Sequence, residues 1–236
     1  DAIKIVNWID WISNFNRDHL NLTNHAAAHP PFAVLIFYFL NKMLTLNFIP
    51  IFFIFVFFFN LICLSKTLQI YEYEEKAISK ILILFSLIPA INIYTIVSLD
   101  ALILFSVILS NLGIAFFLKK NKILGLVFLF LGILIFNILS LAFITIALFL
   151  NFYSIILVFR KKEFSHLFAG LIIIVLLAVV YYILKIGFNY DHIEFFFSIK
   201  DYWYGDNRFR IIPFNPITAP LNYSMLCLEA IYEFLI

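Results

Sequence analysis

Polar residues recur at Asp1, Lys4, Asn7, Asp10, Asn14 and Asp18, three or four apart, which is the repeat of one helix face. The opposite face carries Ile5, Trp8, Ile9, Ile12 and Phe15. With Trp8 and Trp11 among them, the pattern predicts an amphipathic helix lying in a membrane interface. A helix packed on its own protein is the alternative. Beyond Pro31 the polar periodicity gives way to long apolar runs. Set against about 30 Å of hydrocarbon, they predict membrane segments at roughly 32–47, 49–68, 79–96, 99–118, 122–138, 139–159 and 164–185. Segment 32–47 is the least span-like, being short and carrying Asn41 and Lys42. The run from Ile123 to Phe159 is about twice one span, which predicts a hairpin breaking near Asn137. Pro89 interrupts the third span.

Composition turns this pattern into a class. Of 236 residues 64% are hydrophobic and 13% charged, and the mean hydropathy is +1.05. A soluble domain has about 25% charged residues, so a water-soluble globular fold is excluded. The expectation is an all-α, polytopic, integral membrane protein with about six to seven membrane segments and an N-terminal interfacial helix. It reads as one domain over 1–236: an outer-face amphipathic segment at 1–30, membrane helices at 31–185 and an outer-face loop or tail at 186–236. Phe supplies 31 residues against 6 Gly and 7 Pro, which points to an AT-rich genome rather than to chemistry. A net charge of +2 gives no reason to expect nucleic acid, and Cys63 and Cys227 make neither a disulfide framework nor a zinc spacing. No signal peptide is visible ahead of Asp1, so the chain is expected to be processed or a piece of something longer.

Charge sets the expected topology. The basic stretches KKNK at 119–122 and RKK at 160–162 belong on the cytoplasmic side. Asp100 and the tail, with DHIE at 191–194 and DYWYGDNRFR at 201–210, then fall on the outer side. If 32–47 crosses the bilayer, the HPPF step at 29–32 is separated from Asp100; if it is re-entrant or interfacial, the two share the outer face.

Several side chains there have both a chemical and a plainer reading. His25 and His29 stand four apart, the spacing of two zinc ligands on one helix turn. Ala26 replaces the usual glutamate, however, and Pro30 biases His29 out of the helix. Asp100 begins an apolar helix, as a dipole-compensating carboxylate would, and is also placed to meet a polar ligand. Arg208 and Arg210 follow an aromatic cluster; they suit either a headgroup boundary or a bound phosphate. Asp191, His192 and Glu194 read as a solvated loop sooner than as a metal site. The sequons at Asn21 and Asn222 fall on the expected outer side. No span has a charge near its middle, unlike proton pumps and ion-coupled carriers.

The order of an amphipathic segment, the step HPPF, paired apolar segments, a Pro-containing span and the rim aspartate of SLDALILF resembles the GT-C superfamily of polyprenyl-phosphate-sugar-dependent glycosyltransferases. The likeness is to the protein mannosyltransferases and lipid A aminoarabinose transferases of that superfamily. Where those carry an acidic residue before His-Pro-Pro, this chain has Ala28, and their first span is missing here. The resemblance implies a donor entering sideways from the bilayer, with Asp1 as catalytic base and Asp10 as a second choice. It also implies that His29 and Asp100 line the pocket and that Arg208 and Arg210 hold the donor phosphate. Separately from the resemblance, no cofactor is expected; a divalent metal is conceivable, but no residue pattern supports one. The contrasting expectation is a non-catalytic hydrophobic subunit of an organellar respiratory or other membrane complex, in which Asp100 is a cap and Arg208 a contact to other membrane subunits. A transporter fragment is a third.

Overall fold

Asn7 opens the first helix by accepting a hydrogen bond from the Ile9 N–H, 3.1 Å away, on its side-chain oxygen. The computed structural model describes residues 5–22, 29–44, 48–88, 98–140 and 165–205. Helix α1 (Trp8–Ser13) stops at Asn14, whose amide donates to the Asp10 carbonyl at 2.8 Å; α2 (Phe15–Asp18) and a 3-10 turn (His19–Asn21) follow. The single predicted helix is therefore broken at Asn14, a residue that competes for backbone partners. Ile12 and Phe15 are fully buried against the protein, as in the packed alternative, while Ile9 stays half exposed.

Pro30 is extended and Pro31 is the first helical residue, so the step HPP is a helix start: α3 runs Pro31–Met43. Its 13 residues reach about 20 Å, short of the roughly 30 Å core. Helix α4 (Ile49–Ile70) ends in a left-handed residue, Glu72 at φ 63°. There the Tyr73 N–H returns to the Leu68 carbonyl at 3.1 Å and the Glu72 N–H to that of Gln69 at 3.0 Å, a Schellman closure. Next come α5 (Glu75–Leu87), α6 (Asp100–Lys119), α7 (Lys122–Leu139), α8 (Ser165–Phe188) and α9 (His192–Gly205). Among the described residues four helices are long and apolar enough to cross a membrane: α4, α6, α7 and the Leu167–Phe188 part of α8. The all-helical membrane class expected from sequence is thus met, with four such helices among the described residues; α3 and α5 are each 13 residues long there. Most of the predicted segment 139–159, and Pro89, lie outside the described residues. Phe55, Phe58, Phe59 and Ile62 of α4 are each more than half exposed, the apolar exterior of a membrane protein.

The basic stretch at 119–122 is a tight turn, with Asn121 capping α7 by accepting from the Leu124 N–H at 3.1 Å. It folds α7 back along α6. A Cβ on Gly113 would stand 2.5 Å from the Leu129 nitrogen; one on Gly125 would meet the Phe117 backbone, and one on Gly132 the Ser110 hydroxyl. Small residues let these two helices approach to backbone contact, the usual means of association in lipid. Several hydroxyl side chains in the spans bond within their own helices, as Thr67 Oγ1 to the Cys63 carbonyl (2.8 Å) and Ser110 Oγ to that of Ser106 (2.8 Å).

Helices α4 and α6 run parallel. Near their starts Leu40, Phe53, Val56 and Ala101 form one core, and Asn60 donates to the Ala101 carbonyl at 3.3 Å. Further along, Ile70 packs with Leu109, Leu112 and Ala115. The starts of α4 and α6 and the end of α7 therefore share one end of the bundle, the rim. The end of α8 is there as well: Phe32 meets Phe188 at 5.5 Å and Phe37 meets Phe53 at 6.2 Å between ring centres. Those two α3 residues are only about 8 Å apart along the helix. Helix α3 thus lies across the rim instead of along the spans.

The chain divides into a unit Asp1–His192 and a unit Ile193–Ile236. The stretch 191–194, expected as a solvated loop, leads into the first turn of α9, where Glu194 favours the helix start.

Candidate functional site

Among the described residues a cluster of polar side chains forms where α8 ends. Asn189 takes φ 52°, a left-handed value that Asn tolerates, and the Tyr190 N–H returns to the Leu184 carbonyl at 3.2 Å. The Asp191 carboxylate then faces back along α8. It receives Lys185 Nζ at 2.7 Å and the Tyr181 hydroxyl at 3.2 and 3.3 Å. Lys185 also donates to Tyr181 Oη at 3.1 Å and lies 5.5 Å from that ring's centre. One residue on either side, the Tyr190 hydroxyl and His192 Nδ1 share a buried hydrogen bond of 3.1 Å.

The N-terminal segment is seated on this corner. Asn16 donates to the Asp191 carbonyl at 2.9 Å, and Asn189 donates to the Ser13 carbonyl at 3.3 Å. Phe15 packs edge-on against Tyr190, and Trp8 wedges between Phe39 and Phe188. His19, also buried, stacks on Phe15; its Nδ1 lies 3.2 Å from the Phe15 carbonyl and 3.0 Å from that of Asn16. Two carbonyls can only accept, so Nδ1 carries the proton. Burial pushes the His192 imidazole down to about 4, with Asp191 opposing. Burial also lowers His19, against its two carbonyl bonds, and raises the Tyr190 phenol, helped by Asp191. At neutral pH the corner holds two neutral imidazoles and one phenol.

On the outward side of the same segment runs an open groove of about 470 Å³, lined by Asn7, Asp10, Trp11, Asn14 and Asp18 among others. Asp10 accepts from Asn7 at 2.6 Å, and Arg17 pairs with Asp18 at 2.7 Å, holding that carboxyl below its usual range. Asp10 is the exposed carboxylate here with the chemistry of a general base.

Of the residues singled out from sequence, Asp1, His25, Arg208 and Arg210 lie outside the described residues. His29 is half-buried directly before α3. Asp100 is exposed at the start of α6: Ser98 Oγ donates to its carboxylate at 2.7 Å, and its N–H donates back to Ser98 Oγ at 3.1 Å. His29 precedes the start of α3, while Leu40, near its other end, packs in the core that holds Ala101, the residue after Asp100. Of the stretch expected to be solvated, His192 is buried, Asp191 is half-buried and Glu194 is exposed; no group of three metal-binding side chains occurs among the described residues.

Sequence reasoning passed over Tyr181, Lys185, Tyr190 and His19. The i, i+4 pair Tyr181–Lys185 ahead of a helix-stopping Asn189 was a readable signal for half of the corner. The other half arrives from more than 170 residues away in sequence. Compared with protein-family models, with curated proteins and with solved structures, the chain has no match.

Proposed function

We propose that this chain is the membrane part of a glycosyltransferase that moves a sugar from a polyprenyl-phosphate donor to an acceptor at the outer face. The observation that carries the reading is α3 lying across the rim, which gathers the HPPF step, Asp100 and the groove with Asp10 at one end of the bundle. In this reading Asp1, or failing it Asp10, takes the proton of the acceptor hydroxyl. The oxygen attacks the anomeric carbon and the polyprenyl phosphate leaves with its bonding pair. Arg208 and Arg210 stabilise the phosphate as its charge develops, with paired donors suited to it. Side-on entry from lipid suits the donor's long apolar chain.

The test is binding of a short-chain polyprenyl-phosphate sugar to the protein in lipid nanodiscs. Charge-assisted hydrogen bonds contribute about 1.5–3 kcal/mol each, so Arg208→Ala/Arg210→Ala is expected to weaken saturable binding at least about tenfold. A folded sample that binds no donor removes the transferase reading and favours the non-catalytic subunit.

A further inference from the structure

The turn at 119–122 carries three exposed lysines, Lys119, Lys120 and Lys122. It joins α6 to α7, both long and apolar enough to cross a membrane. The 18 residues of α7 rise about 27 Å, close to the roughly 30 Å of hydrocarbon, so a bilayer around this hairpin ends at the turn. Ile123, Leu126 and Val127, the next residues along α7 with open surface, are apolar and suited to the acyl region. The lysine stems can lie along that surface while their ammonium groups reach headgroup level.

The charge of this patch is unbalanced. At the rim Arg17 pairs with Asp18 and Lys185 with Asp191. Among the described residues no acidic side chain pairs with Lys119, Lys120 or Lys122. Ile70 packs with Leu112 and Ala115, so the exposed Glu72, Glu74 and Glu75 stand at the same end of the bundle, yet none of them forms such a pair. Lys119 suits the end of α6, where the helix dipole is negative. Lys122 does not suit its position: it opens α7 at the positive end, with no acidic residue in that first turn. A local rule broken in this way is the mark of a site with another purpose. An anion from outside the bundle would offset the dipole and the three ammonium groups together.

We propose that the 119–122 turn is a docking surface for anionic phospholipid, whose headgroup phosphates settle among Lys119, Lys120 and Lys122 in the leaflet that the turn faces. Charge complementarity selects an anion, and the depth of the turn selects a lipid as its source. A zwitterionic lipid brings the same phosphate with a cation attached and gains less. The proposal does not depend on the transferase reading.

The test compares association of spin-labelled phosphatidylglycerol and phosphatidylcholine with the protein in phosphatidylcholine vesicles. One lysine near a headgroup contributes about fivefold, so the parent is expected to prefer phosphatidylglycerol by at least that factor. Lys119→Gln/Lys120→Gln/Lys122→Gln should lose most of the preference. Lys66→Gln/Lys76→Gln/Lys80→Gln, with the same change in net charge on exposed residues of α4 and α5, should keep it. Equal association of the two lipids with the parent overturns the proposal, and binding of a polyglutamate peptide by that sample would assign the turn to an acidic protein segment. An unchanged preference in the first variant, or an equal loss in both, also overturns it, since the turn would then have no part of its own. Thermal unfolding gives a second readout: phosphatidylglycerol should raise the midpoint of the parent more than that of the first variant, and an equal rise in the two overturns the proposal.

Discussion

Glu72 holds a left-handed backbone, φ 63°, at the position where helices most often end in glycine. A side chain there costs about 1–2 kcal/mol, because its Cβ crowds the following carbonyl. Glu72 is exposed and has no packing role to compensate. Glu72→Gly is therefore expected to raise stability by about 0.5–1 kcal/mol, the relief of strain less the added freedom of the unfolded chain. Glu72→Val should lower it, because a branched Cβ fits that region worst. Equilibrium unfolding in mixed detergent micelles should rank Gly above Glu above Val; Val equal to Glu would mean that the turn is not left-handed. Asn189 meets the same constraint with a residue that tolerates it, and its amide also reaches Ser13. One residue thus ends a span and fastens the N-terminal segment.

At the scale of elements, the glycines separate contact from composition. A Cβ on Gly113 would press on the Leu129 nitrogen at 2.5 Å, the Leu129 Cα at 2.8 Å and the Gly125 carbonyl at 2.9 Å. All three are backbone atoms, so α6 and α7 would have to separate, and Gly113→Ala is expected to cost about 1–3 kcal/mol. Gly187 of α8 has nothing within 4 Å of an added Cβ, so Gly187→Ala should be neutral or gain up to about 1 kcal/mol of helix propensity. Opposite effects of one chemical change in the same unfolding assay would establish the α6–α7 contact; equal effects would refute it. Much of this level was legible from sequence. The hairpin turn at 119–122, the helix end near Asn137 and the starts at Pro31 and Asp100 all follow from period, charge and proline chemistry. The break at Asn14 was not, because the repeat of three and four continues through it while the Asn14 amide bonds back to Asp10. Nor was the α8 corner, whose two halves meet only through folding.

For the whole molecule the open question in the sequence was one of parity: a crossing at 32–47 puts everything before it on the side opposite Asp100. Hydropathy cannot decide this, since a short, mostly apolar helix looks alike along a rim or across a core. The deciding contacts are between rings distant in the chain, Phe32 with Phe188 and Phe37 with Phe53, which bring the start of α4 and the end of α8 to one end of the bundle. If that bundle spans a bilayer, residues before α3 and the start of α6 must face one compartment and the 119–122 turn the other. Single cysteines at Asn21, Asp100 and Lys120, all exposed, test this in a background with Cys63 and Cys227 replaced by serine. A membrane-impermeant maleimide added to oriented vesicles is expected to label Asn21→Cys and Asp100→Cys from the same side, and Lys120→Cys only from the other. Labelling of Asn21→Cys together with Lys120→Cys would mean that α3 crosses after all. The HPPF step and Asp100 would then belong to opposite faces, and no single rim site could include both.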